Sequence, residues 1–274
     1  MGEEKLVLGA AMRIEHLPEY AAWLIEDQRD LEIQDVVWPG TLNGDWKPLV
    51  QQAKSALDGY TGRLGIHGPF FGLTIAAPDP VIAAAVSDRL KRALEFCAEL
   101  GGTHMVVHSP VQFLGTPFLS STEPVMGQEM YLDAIRATMK DVIAMAESIN
   151  CTIVIENIFD RIPALMRALV VALDSPYVRM SLDTGHAYVS YKEGGAPPDY
   201  WAKEASELLA HVHIQDTDGF ADRHWAPGEG DIKWASLFRV LSRMQHKPRL
   251  ILELADKHAI PAGAQYLANL GLAR

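Results

Sequence analysis

Six side chains able to hold a cation or carry a proton each close a short apolar run: His67, His108, Glu156, Asp183, His213 and Glu253. His186 follows just past one such end. In Ile155-Glu156-Asn157 and Ile251-Leu252-Glu253 a carboxylate ends an aliphatic segment. Burying it there is costly unless a cation or a hydrogen-bond donor meets it. The ordinary alternative for either glutamate is a salt bridge to a loop Arg or Lys.

Asp183 and His186 lie three residues apart across a glycine, in Ser181-Leu182-Asp183-Thr184-Gly185-His186. A strand end and the turn after it can face one mouth, although a helix cap beside a surface histidine has the same pattern. In His211-Val212-His213 the alternation of a strand sends both rings to one face. His213, nearer the C-terminal end, is the expected ligand, and His211 the core residue behind it. Asp222 and His224, two residues apart before Pro227-Gly228-Glu229-Gly230-Asp231, can clamp one ion in an extended stretch, or belong to a solvated turn.

Together these positions supply five imidazoles and four carboxylates. Such a nitrogen and oxygen set suits Zn²⁺, Mn²⁺ or Co²⁺, is less suited to Mg²⁺, and without thiolates is unlike a structural zinc knuckle. His16, His104, His246 and His258 are expected on helices or loops, as surface or capping residues. Trp38, Phe70, Phe71 and Trp225 offer an apolar wall for a substrate, or ordinary packing at the barrel top. No Gly-x-Gly-x-x-Gly, P-loop or Gly-x-Ser-x-Gly motif occurs, so dinucleotide, nucleoside triphosphate and serine hydrolase chemistry lack support.

The elements that must position these groups alternate along the chain. Short apolar runs at 6–10, 31–34, 64–67, 105–108, 152–156, 178–183, 211–214 and 250–253 read as strands covered on both faces. Between them, amphipathic stretches at 17–26, 47–57, 80–100, 128–149, 162–173, 200–209, 232–244 and 262–270 read as helices. Pro80 suits a first helical turn and Gly101-Gly102 a stop. Eight such units predict an α/β fold, a single (β/α)8 TIM barrel over residues 1–274, with a metal centre at its C-terminal mouth. The loops at 68–79, 110–127, 188–199 and 217–231 would cover that face.

The bulk properties bound the class. The chain has 274 residues, 49% hydrophobic and 22% charged, enough apolar mass for a large core. A net charge of −11 lacks the basic surface expected of a nucleic-acid binder, although cations would offset part of it. No apolar stretch approaches a membrane span, and residues 1–5 lack a signal-peptide pattern. Cys97 and Cys151 lie in apolar segments, as a buried reduced pair of a cytoplasmic protein would.

On these motifs, and on Asp222-Arg223-His224-Trp225-Ala226-Pro227-Gly228-Glu229-Gly230-Asp231-Ile232, the chain resembles the xylose isomerase-like barrel superfamily over nearly its whole length. That group includes sugar isomerases and epimerases, dehydratases and endonuclease IV. The resemblance implies one ion on Glu156, Asp183, His213 and Glu253, with both glutamates as proton carriers. Its substrate would be a small sugar, sugar phosphate or polyol, passing through a metal-stabilised enediolate. His186 would touch a substrate hydroxyl and Arg223 a hydroxyl or phosphate, with Trp225 and Phe70 beside them. The endonuclease-like members imply further ions on His67, His108 and Glu156, and on His186, Asp222 and His224. That is the alternative, a trinuclear phosphodiesterase, although Ile158-Phe159-Asp160-Arg161 lacks that family's glycine-containing continuation. A non-catalytic metal- or sugar-binding barrel is a third reading. A homo-oligomer is compatible with the resemblance.

Overall fold

Eight parallel strands pair in chain order and close on themselves. The computed structural model describes residues 6–110 and 128–274. The strands are β1 (Leu8–Met12), β2 (Leu31–Ile33), β3 (Leu64–His67), β4 (His104–His108), β5 (Thr152–Glu156), β6 (Val178–Asp183), β7 (Leu209–Ile214) and β8 (Arg249–Leu252). Around them run α1 (Leu17–Glu26), α2 (Pro39–Asn43), α3 (Lys47–Ala56), α4 (Pro80–Leu100), α5 (Gln128–Ser148), α6 (Pro163–Ala172), α7 (Thr184–Lys192), α8 (Pro198–Ala205), α9 (Trp234–Ser242) and α10 (Ile260–Asn269). The expected (β/α)8 barrel is therefore the fold. Among the described residues no helix is long and apolar enough to cross a membrane.

The helices form for legible reasons. Asp79 caps α4 by accepting a hydrogen bond from the Val81 amide at 2.8 Å, with Pro80 in the first turn. Gly101 ends it at φ 79°, a conformation that suits a residue without Cβ. Val86, Leu90, Ala93, Leu94 and Cys97 recur at helical spacing and are buried. Leu90→Ala would cost about 2–5 kcal/mol, because it removes fully buried side-chain volume from the core.

Several boundaries differ from the sequence expectation. The first strand begins two residues later than position 6 and runs to Met12, because the small apolar run stays buried until Arg13. Residues 188–192, expected in a loop, belong to α7, which continues directly from β6. The fourth strand begins at His104, so that histidine is neither a surface nor a capping residue but fully buried inside the barrel. Of the loop expected at 110–127, all but its first residue lies outside the described residues, as do residues 1–5. Cys97 and Cys151 are free and buried, with sulfurs 3.8 Å apart, beyond the ~2.05 Å of a disulfide.

Register is what brings the chemistry together. His108 on β4 is the direct neighbour of Glu156 on β5, and Asp183 on β6 is the neighbour of His213 on β7. Donors distant in sequence thus share the C-terminal rim.

Candidate metal centre at the barrel mouth

The structure brings all nine expected donors into three adjoining groups. Glu156, Asp183, His213 and Glu253 have ligand atoms within 4.8 Å of one another, as do His67, His108 and Glu156, and His186, Asp222 and His224. Glu156 belongs to two of the groups. Nδ1 of His213 lies 3.0 Å from Glu156 Oε1 and 3.3 Å from Glu253 Oε2. Asp222 Oδ2 lies 3.2 Å from His186 Nε2 and 3.1 Å from His224 Nε2.

Backbone carbonyls aim three of the rings. Nδ1–H of His67 donates to Gly68 O at 2.9 Å, that of His186 to Asn157 O at 3.0 Å, and that of His224 to Glu253 O at 2.9 Å. Each bond leaves Nε2 turned toward the centre, the way outer partners fix the tautomer of a ligating histidine. His224 adopts φ 50°, a left-handed conformation uncommon for a residue with a side chain, and so its ring reaches both Glu253 and Asp222.

The donors fit a divalent cation. Oε2 of Glu156 is buried without a hydrogen-bond partner. It stands 3.6 Å from Nε2 of both His67 and His108, which are themselves 3.4 Å apart. These are poor hydrogen-bond lengths. They match the edge of a tetrahedron, about 3.4 Å, for donors 2.0–2.1 Å from Zn²⁺.

Electrostatics support the same reading. For His186 and His213 burial alone would lower the pKa, but the facing carboxylates outweigh it and hold both well above the usual imidazole value. Against the same burial penalty, Asp222 and Glu253 raise His224 to about 9. Burial, reinforced by the neighbouring imidazoles, lowers His108 to about 3, so its ring stays neutral and able to coordinate. Burial also raises Asp183 to about 6, with Glu156 and Asp222 adding like-charge repulsion.

A second layer holds these groups, and the sequence reading did not single it out. Asn157 locks Asp183 by donating to its carbonyl at 3.1 Å and accepting from its amide at 2.8 Å. Gln215 donates to Asp183 at 3.2 Å and Asp222 at 2.7 Å, and accepts from the His224 amide at 2.9 Å. Gln34 donates to Glu253 Oε1 at 2.7 Å. Asp216 gathers the glycine-rich loop by accepting from the Gly228 amide at 2.8 Å, the Ile232 amide at 3.2 Å and the Trp234 indole at 3.1 Å. Glu32, fully buried on β2, lies 2.9 Å from Nε2 of His213. It carries the same signal as Glu156, a carboxylate among aliphatic neighbours, but in mid-strand.

The expected substrate contacts are placed unevenly. Phe70 stacks on His108 with centroids 4.2 Å apart and meets Phe71 at 4.5 Å, and Phe71 meets Trp38 at 5.1 Å. These three form a partly exposed apolar wall beside the donors. Trp225 stands apart from that wall, under the guanidinium of Arg223. Arg223 is ion-paired with Asp218 at 3.0 Å.

Fold and site together define a closed (β/α)8 barrel with a candidate metal centre at its C-terminal mouth. The chain belongs to the xylose isomerase-like TIM barrel family, whose pattern matches residues 32–272. Protein MJ1311 of Methanocaldococcus jannaschii is 23% identical over 205 residues, covering 72% of this chain and 66% of that protein, just under two thirds of its length. Among solved structures, the TTHB071 protein from Thermus thermophilus, soaked with ZnCl2, superimposes with a TM-score of 0.72 at 26% identity, over 97% of this chain and 99% of that one. A D-tagatose 3-epimerase-like protein gives 0.71 at 20% identity, over 96% of each chain. The 3-keto-D-glucoside 4-epimerase YcjR of E. coli gives 0.71 at 17% identity, over 97% of this chain and 99% of that one. The last two likenesses speak to the fold alone.

Proposed function

We propose that this protein is a divalent-metal-dependent isomerase or epimerase acting on a small sugar, sugar phosphate or polyol. The observation that carries the reading is the pair of carboxylates, Glu156 and Glu253, set around one buried nitrogen, His213 Nδ1, at 3.0 and 3.3 Å. Glu156 ends β5 and Glu253 follows β8 by one residue, both at the mouth, where barrel enzymes keep their chemistry. A bound divalent cation would supply Lewis acidity, polarising a substrate carbonyl and acidifying the adjacent C–H. Glu156, Asp183, His213 and Glu253 would hold it.

One of the two glutamates removes the proton and returns it, or its partner does so from the other face. Gln34 fixes Glu253 Oε1 and so limits the rotation of that carboxylate. His186, with Nε2 turned to the mouth, is suited to a substrate hydroxyl, and the wall of Trp38, Phe70 and Phe71 to a carbon chain or ring face. Arg223 would have to share its guanidinium with Asp218 to bind a hydroxyl or terminal phosphate. The epimerases among the structural neighbours are in keeping with this class of substrate.

The direct test is solvent exchange. Metal-loaded protein in D2O should place deuterium on the carbon next to the carbonyl of at least one aldose, ketose or inosose derivative. No exchange across such a panel at full loading would contradict the proposal.

One observation favours a second reading. The groups His67–His108–Glu156 and His186–Asp222–His224 flank the central four donors, an arrangement suited to several ions and phosphodiester hydrolysis. Three bound ions together with cleavage of an abasic-site duplex would establish it in place of the first.

A further inference from the structure

His213 differs from the other oriented rings at the mouth. His67, His186 and His224 give Nδ1–H to backbone carbonyls and present Nε2. His213 is reversed, presenting Nδ1 to Glu156 and Glu253 while Nε2 points down into the barrel. There Glu32 Oε1 meets it at 2.9 Å. We infer that Glu32 is a positioning residue, which holds the proton of His213 on Nε2 and so keeps Nδ1 free for the cation. This rests on the reading of His213 as a metal ligand.

The barrel floor is built around that carboxylate. Its second oxygen, Oε2, lies 3.0 Å from His211 Nε2 and 3.3 Å from His104 Nε2. His211 Nδ1 is in turn 2.8 Å from the Ser181 hydroxyl. Glu32, His104, His211, His213 and Ser181 are all fully buried. Gly65 makes the room for this layer, since a Cβ there would overlap the ring of His104. A buried carboxylate without partners is strongly disfavoured, whereas one hydrogen-bonded to two imidazoles is compensated. An anion behind a ligating imidazole also makes the coordinating nitrogen more basic and fixes the ring plane.

Glu32, His104 and His211 have the donor types of a cation site themselves. Oε1 of Glu32 is hydrogen-bonded to His213 Nε2 at 2.9 Å and Oε2 to His104 Nε2 at 3.3 Å, whereas His211 Nε2, 3.0 Å from Oε2, lacks the angle of a hydrogen bond. Both oxygens of Glu32 are therefore hydrogen-bonded within the floor, the shorter bond being the one to His213.

The experiment compares wild type, Glu32→Gln and His213→Ala by competition with a chromophoric zinc chelator, with long-range ¹⁵N–¹H NMR of the zinc-loaded wild type. We expect Glu32→Gln to weaken zinc binding about 10–100-fold, and wild-type His213 to carry its proton on Nε2. Unchanged affinity in Glu32→Gln, when His213→Ala does weaken binding, would overturn the inference. Unchanged affinity in His213→Ala would instead remove His213 from the metal site, and the inference with it. The wild-type spectrum needs no variant to fold, and a proton on Nδ1 with zinc on Nε2 would overturn the inference directly. A zinc ion lost in Glu32→Gln but retained in His213→Ala would make the floor a cation site and overturn the positioning role.

Discussion

Nε2 of His67 faces Nε2 of His108 across 3.4 Å, and the buried Oε2 of Glu156 stands 3.6 Å from each. Three donors converge there without a good hydrogen bond among them, a spacing that an ion at their centre would fit. We expect His67→Ala to bind fewer zinc ions per chain than wild type by native mass spectrometry, with the His213 group still loaded. Unchanged stoichiometry would remove this group as a site.

Proton linkage should govern metal affinity. In the metal-free protein His224 keeps a proton up to about pH 9, and His186 and His213 are raised well above the ordinary imidazole value. A cation must displace those protons, so binding releases them and strengthens as pH rises toward about 9. Calorimetry in buffers of differing ionisation enthalpy should show this release. Affinity independent of pH over that range would argue against imidazole ligands.

Metal binding should also stabilise the fold. At free ion about 100-fold above Kd the added stability is about 2.7 kcal/mol. For a chain of this size that raises Tm on the order of 5–10 °C, and a chelator should reverse it. A melting temperature indifferent to zinc, manganese and chelator would oppose a site in the folded barrel.

The fold was legible because eight apolar runs alternate with amphipathic ones, and the rim donors because a charge closing an aliphatic run must meet a partner. Glu32 carries the same signal between Leu31 and Ile33, but it sits in mid-strand, where a reading of strand ends passes over it. His104 escaped through a one-residue boundary. Starting the strand at 105 leaves His104 in a loop, although His104, Val106 and His108 alternate onto one face. The supporting roles of Gln215 and Asn157 were not legible, because an amide becomes a strut only once the fold shows which carboxylate it reaches.

Gly185 tests that supporting layer. A Cβ there would overlap the carboxamide of Gln215, which bridges Asp183 and Asp222. Gly185→Ala should cost about 1–3 kcal/mol and loosen the His186–Asp222–His224 group. Chemical denaturation and zinc titration would read the two effects, and a variant equal to wild type in both would show that Gln215 is not a strut.

Glu156→Gln keeps the size of a fully buried side chain while removing the charge that several donors share. We expect the far- and near-ultraviolet circular dichroism to be retained and proton exchange with the active sugar to fall about 10²–10⁴-fold. Retained turnover would take Glu156 out of the proton transfer.

The most direct measurement is anomalous scattering from crystals soaked in zinc or manganese. We expect a peak coordinated by Glu156, Asp183, His213 and Glu253 at the C-terminal mouth. Saturated crystals in which those four side chains coordinate no ion would contradict the metal centre on which the proposed chemistry depends.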